Sequence, residues 1–257
     1  VHRKQWVNVE GAPTYTAFSA NSSFASNRIG LGIFASKASQ SITDDYSLYG
    51  SYAYKINTSI GILAMGLQGG FNQRTTDYEK LNLLSTDPLM QGAPTRFSPN
   101  FGTGIYLANP VYYIGASVPY IVENIVLQNS ELTNSDNVSI EKRHYYLSGG
   151  FIYPINDHLK ISPGFLLKAQ EAIPLSWNAN VNIIVDEIAY IGFNYRNVGD
   201  FGILGQLILN ENLRVGYAYD VNTSAVRINA SGSHEIFVNY RIKLKNYKKD
   251  PQCPVYF

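Results

Sequence analysis

The stretch SWNANVNIIV, residues 176–185, decides the fold. Trp177, Ala179, Val181, Ile183 and Val185 fall on one side of an extended chain, and Ser176, Asn178, Asn180 and Asn182 on the other, because successive strand side chains point to opposite faces. The two-residue period recurs on both sides of this stretch. Leu159, Ile161, Phe165 and Leu167 alternate with Lys160, Ser162 and Lys168, and Ile236, Val238, Tyr240 and Ile242 alternate with Glu235, Asn239, Arg241 and Lys243. One face is oily and the other is wet. The helical i, i+3, i+4, i+7 pattern is almost absent.

Working outward, alternation predicts about fourteen strands: 1–6, the end of a strand that begins upstream, then 13–22, 29–38, 44–56, 59–76, 96–108, 111–120, 143–153, 158–168, 176–185, 189–195, 201–209, 213–219 and 232–244. The links alternate in length with a constant phase. Tight ones with turn chemistry fall at 57–58, 109–110, 154–157, 186–188 and 210–212. In the other phase four of seven are longer: 77–95, 121–142, 169–175 and 220–231. Short turns on one rim and long loops on the other predict an all-β, transmembrane outer-membrane antiparallel β-barrel with the short rim in the periplasm. Tyr46, Tyr112, Tyr113, Tyr145, Tyr153, Tyr195 and Tyr219 sit near strand ends, as rings of aromatic girdles do at the membrane surfaces. Residues 1–244 are expected to form the barrel. Residues 245–257 follow as a tail in which Pro251 and Pro254 forbid a regular ladder. Crossing parity puts this C-terminus in the periplasm, with Lys245, Lys248 and Lys249 as candidate contacts there.

Composition agrees with a strand-built membrane protein. The 257 residues include 20 Tyr, 12 Phe and 21 Gly but only 2 Met and 1 Cys, a strand-rich inventory. The net charge of +1 gives no overall field to draw nucleic acid. The longest clean apolar run, IGILAMGL at 60–67, is far short of the ~20 residues of a spanning helix. The lone Cys253 leaves no disulfide framework and no metal-ligand spacing. The chain opens on Val1 without a charged n-region and apolar h-region, so a signal peptide is neither shown nor excluded.

A catalytic set is not expected. His144 and His234 open strands at the long-loop rim, with Ser233, Glu235 and Glu141 near in sequence, and these residue types can in principle form a hydrolase triad. No nucleophile elbow, zinc-helix motif, phosphate loop or dinucleotide fingerprint accompanies them. Neither a cofactor nor a metal is expected.

Ordered pieces of the chain carry a family resemblance. RKQWVNVEGAP at 3–13, NRIGLG at 27–32, LYGSYAY at 48–54, PNFGTG at 99–104, YIGASVP at 113–119, LLKAQ at 166–170 with Pro174-Leu175, RVGYAYD at 214–220 and GSHEI at 232–236 together resemble the PorP/SprF family, outer-membrane proteins of type IX secretion and gliding in Bacteroidetes. Members usually carry an Asn-Pro-Ala-like motif before the first strand, and this chain opens past it. The resemblance implies an outer-membrane location and a part in delivering or retaining secreted proteins at the surface, large gliding adhesins included. It implies no catalysis and no cofactor.

The expected function is thus a non-enzymatic barrel that binds a secreted cargo's C-terminal domain or other machinery subunits. The alternative is a passive porin or FadL-like transporter, for which ~16–18 strands are typical. The expected partner surface lies chiefly in 121–142, where Ile121, Val122, Ile125, Val126 and Leu127 stand beside Glu123, Glu131 and Asp136. An apolar cluster edged by carboxylates suits a protein interface, and a loop this long is usually functional or disordered. Outer-membrane lipid would be the other partner.

Overall fold

The computed structural model describes residues 1–25, 27–80, 92–128, 138–140, 142–197, 199–222 and 232–242. Its strands are β1 His2–Lys4, β2 Thr14–Phe24, β3 Ile29–Gln40, β4 Thr43–Thr58, β5 Gly61–Thr76, β6 Thr95–Ala108, β7 Tyr112–Val118, β8 Ile125–Gln128, β9 Val138–Ile140, β10 His144–Phe151, β11 Tyr153–Pro154, β12 Leu159–Gln170, β13 Ile173–Val185, β14 Ala189–Arg196, β15 Asp200–Ile208, β16 Leu213–Asn222 and β17 Ser233–Tyr240. Each pairs antiparallel with its neighbour; β1 joins β17 to β2, and β10 joins β7 to β12. The ring therefore closes as a fourteen-strand barrel, β11 being the short continuation of β10. Closure leaves no unpaired edge, which lipid would not tolerate. Only β8 and β9 stand apart, as a hairpin within the link from β7 to β10.

Register fixes the two faces. Asn178, Asn180 and Asn182 on β13 stand opposite Leu166, Gly164 and Ser162 on β12 and Arg196, Asn194 and Gly192 on β14, all facing inward. Val181, paired with Phe193, faces out and is 40% exposed, while Leu67 and Phe101 reach 63% and 60%. Such exposed apolar area has no place in a soluble protein but suits hydrocarbon. Within the described strands the outward positions carry Lys or Arg, Asp or Glu only at Lys4, Lys37 and Asp44, all beside the long-link rim. The middle of the outer face is uncharged.

Aromatic rings mark the edges of this belt. Trp177, Tyr195 and Phe201 cluster on the long-link side, with ring centroids 5.6 Å and 4.8 Å apart. Tyr112 and Tyr153 face out near the short turns. Tyr113, expected in a girdle, instead faces the lumen opposite Gly150, because its neighbour Tyr112 takes the outward position.

The rim asymmetry holds with one exchange. Turns at 59–60, 109–111, 155–158, 186–188 and 209–212 share one rim, and the links 77–94 and 119–143 lie at the other. The expected loop at 169–175 does not exist. β12 runs on to Gln170 and β13 starts at Ile173, leaving a two-residue turn at Glu171 and Ala172, the latter at φ 62°. Residues 5–13 are the long link in its stead.

Candidate functional site

The link after β7 begins inside the barrel mouth. Residues 119–124 do not rise from the rim but lie against the inner wall of β4, β5 and β6. Asn100, inward on β6 and fully buried, donates Nδ2 to the Val122 carbonyl at 2.8 Å and accepts the Val122 N–H on Oδ1 at 3.0 Å. Gln68 on β5 donates to the Pro119 carbonyl at 2.9 Å, and the Tyr120 ring packs 5.6 Å from that of Tyr49 on β4. Gly102 makes the approach possible: a Cβ there would lie 2.4 Å from the Pro119 oxygen. β4, β5 and β6, at 16, 16 and 14 residues, exceed the ~9–11 that a bilayer crossing requires. Their extra length supplies the wall that this strap rests on.

From the strap the chain passes to the β8–β9 hairpin and returns at Arg143, which donates Nε to the Ile121 carbonyl at 2.7 Å. Arg143 also lies 3.9 Å from the Glu123 carboxylate. Beside it Lys142 meets Glu171 of the two-residue turn at 3.0 Å. The Glu171 hydrogen bond, then its charge, raises the Lys142 pKa above the ordinary lysine value. Both feet of the link are thus tied to the barrel.

At the long-link rim the lumen wall also holds ion pairs. Arg3 bridges Asp220 at 2.6 Å and Glu235 at 3.3 Å, tying β1 to β16 and β17. Arg74 grips Asp45 through two hydrogen bonds of 2.6 and 2.9 Å, and Arg196 meets Asp200 at 3.2 Å. Arg3, Asp45, Arg74, Arg196 and Glu235 line a cavity of about 860 Å³. A second of about 430 Å³ runs along Asn178, Asn180, Asn182 and Asn194, and Arg3, Arg196 and Glu235 border both. The lumen wall is mixed: buried Ile62, Ala108 and Ile184 face inward as well as the Asn and Ser side chains, and Gly192 is overlain by Asn182.

Of the residues expected to meet a partner, Ile121 and Val122 keep their side chains 38% and 40% exposed although their backbone is latched. Glu123 joins them on the strap. Ile125, Val126 and Leu127 lie on β8. Glu131 and Asp136 lie outside the described residues, as do Lys245, Lys248, Lys249 and the rest of the tail. The strap's inward course was missed. The signal for it was small or amide side chains at alternate inward positions, Asn100, Gly102 and Gly104, which leave room over β6.

The histidines do not assemble a triad. Strand alternation sends His234 outward, where Nδ1 lies 2.5 Å from the Tyr217 hydroxyl, and sends Ser233 and Glu235 inward. His144 faces the lumen and stacks on Tyr146. Glu141 lies outside the described residues. Among the described residues no group of three or more His, Cys, Asp or Glu is placed to hold a metal ion.

A family model described as type IX secretion system membrane protein PorP/SprF matches residues 1–240. No curated protein matches the chain. Solved structures similar to it include a mutant of the Rh. blastica porin, at 8% identity over 93% of this chain and 96% of that one with a TM-score of 0.38. Another is Salmonella typhi OmpF in complex with daunomycin, at 7% identity over 93% and 94% with a TM-score of 0.35. At these scores neither likeness bears on function.

Proposed function

Since this chain belongs to the PorP/SprF family of type IX secretion system membrane proteins, we propose that it is an outer-membrane docking barrel for a secreted protein. Its partner is the C-terminal domain of a cargo, such as a gliding adhesin, or another subunit of the machinery, held during export or at the cell surface. The observation that carries this reading is the link from β7 to β10. It starts from a strap latched inside the mouth and returns through Arg143 to the same strap, so a long segment is presented from a fixed base. Apolar Ile121 and Val122 are exposed there beside the Glu123–Arg143 pair. Apolar area with a polar edge is the anatomy of a protein interface.

In this reading the long links face the exterior and the short turns the periplasm. Residues 245–257 then hang on the periplasmic side, where Lys245, Lys248 and Lys249 are available to headgroups or machinery. The function is binding and retention, without catalysis.

Replacing residues 130–140 by a short Gly-Ser linker tests it. Loop length costs little in closure entropy, so the barrel should assemble, while display of the cargo should fall sharply. Normal assembly with wild-type cargo display would remove this link as the binding site.

A further inference from the structure

The lumen wall is unevenly charged. The inward carboxylates of the described strands are Asp45, Asp200, Asp220 and Glu235. All are taken by Arg74, Arg196 and Arg3. Lys55, Arg96, Lys160, Lys168 and Arg214 also face inward, so inward strand positions bear twice as many cations as carboxylates, although Lys160 is paired with Glu187 of the 186–188 turn. The whole chain is nearly neutral at +1. The excess is therefore concentrated where water, not lipid, meets the barrel.

Three of these cations have no described carboxylate in ion-pair range. Near the short rim, Lys55 donates to the oxygens of Ser23 and Asn27, at 2.9 Å each. Lys168, near the long-link rim, stands 6.0 Å from the centroid of the Tyr146 ring. Arg96 stands directly opposite Arg74, whose carboxylate partner is Asp45. Like charges paired across strands cost stability, a cost that an anion passing between them would offset. A polar cleft of one charge sign between low-dielectric walls concentrates counter-ions.

We propose that the lumen is a water-filled passage that takes small anions in preference to cations, with Arg96 and Lys168 setting the preference near the long-link rim and Lys55 extending it toward the short rim. The strap at 119–124 lies against the inner wall of this passage. The inference is independent of the partner-binding reading, since it concerns the wall below the links.

The test is the reversal potential of the purified full chain in a planar bilayer under a potassium chloride gradient. The expected sign is that of chloride preference. Replacing both residues, Arg96→Glu and Lys168→Glu, should move it toward potassium preference, whereas Arg96→Lys should leave it in place. Heat-modifiable migration on gels reports whether each variant has assembled. If the double variant fails to assemble, Lys168→Gln alone should still reduce the chloride preference. Potassium preference in the unaltered protein, no ion current from it, or an unchanged potential in an assembled charge-reversed barrel would each overturn the proposal.

Discussion

Asn100 and Val122, 22 residues apart, exchange both polar groups of the Val122 backbone with one buried amide side chain. A leucine at position 100 fills similar space but can neither donate nor accept. It should cost about 1–3 kcal/mol, the penalty of leaving buried polar groups unsatisfied. The loss should be local. Hydrogen exchange at the Val122 amide should accelerate in Asn100→Leu while the β4–β5 amides stay protected. Gly102→Val should do the same by another route, since its Cβ meets the Pro119 oxygen at 2.4 Å. Full protection of Val122 in both variants would mean that other contacts hold the strap.

Val181 and Asn180 are adjacent, yet one meets lipid and the other the lumen. Val181→Arg should cost about 2–4 kcal/mol, as charges do near a bilayer midplane. Asn180→Arg should cost much less, because its guanidinium stays in water. Thermal melts in lipid compare them directly, and equal losses would reverse the assignment of the two faces.

The strands were legible because membrane and lumen impose opposite solvents on alternate residues, so the pattern in 176–185 is a direct image of the fold. The turn at Glu171 and Ala172 was not, because it lacks Gly, Asn and Pro and relies on Ala172 at a positive φ. Pro174, within the link expected at 169–175, occupies a strand position instead. Tyr113 was misread because Tyr is equally at home in a girdle and on a lumen wall. The strap was hidden for a different reason. Its hydrogen bonds join the Val122 backbone to Asn100 and the Pro119 carbonyl to Gln68, so residue types show only the β5–β6 half of each contact and not the strap's own backbone groups.

Glycine crowding separates rigid contacts from soft ones. At Gly70 a Cβ would lie 2.0 Å from the Leu48 carbonyl oxygen and 2.7 Å from the Tyr49 Cα, both backbone atoms, with the Tyr49 ring edge also at 2.7 Å. At Gly192 the nearest atom, at 2.6 Å, is the end of the Asn182 side chain, which is free to swing into the lumen. Gly70→Ala should therefore cost about 1–3 kcal/mol, the usual range for overpacking. Gly192→Ala should be nearly silent. Equal denaturant midpoints for the two would show that the β4–β5 wall yields more easily than its long ladder suggests.

Rim asymmetry gives the last prediction, for orientation. Glu171 lies in the two-residue turn at the long-link rim and is 69% exposed although paired with Lys142. Asp157 is exposed in the turn between β11 and β12 on the opposite rim. Barrels of this kind keep their short-turn rim in the periplasm. With Cys253 replaced by serine, a cysteine at position 171 should react with a membrane-impermeant maleimide on intact cells. A cysteine at position 157 should react only after the outer membrane is opened. Both turns are short and water-facing, so a difference in labelling reports the side of the membrane and not burial. Reaction at 157 on intact cells, with 171 protected, would invert the barrel and move the partner-binding link to the periplasm.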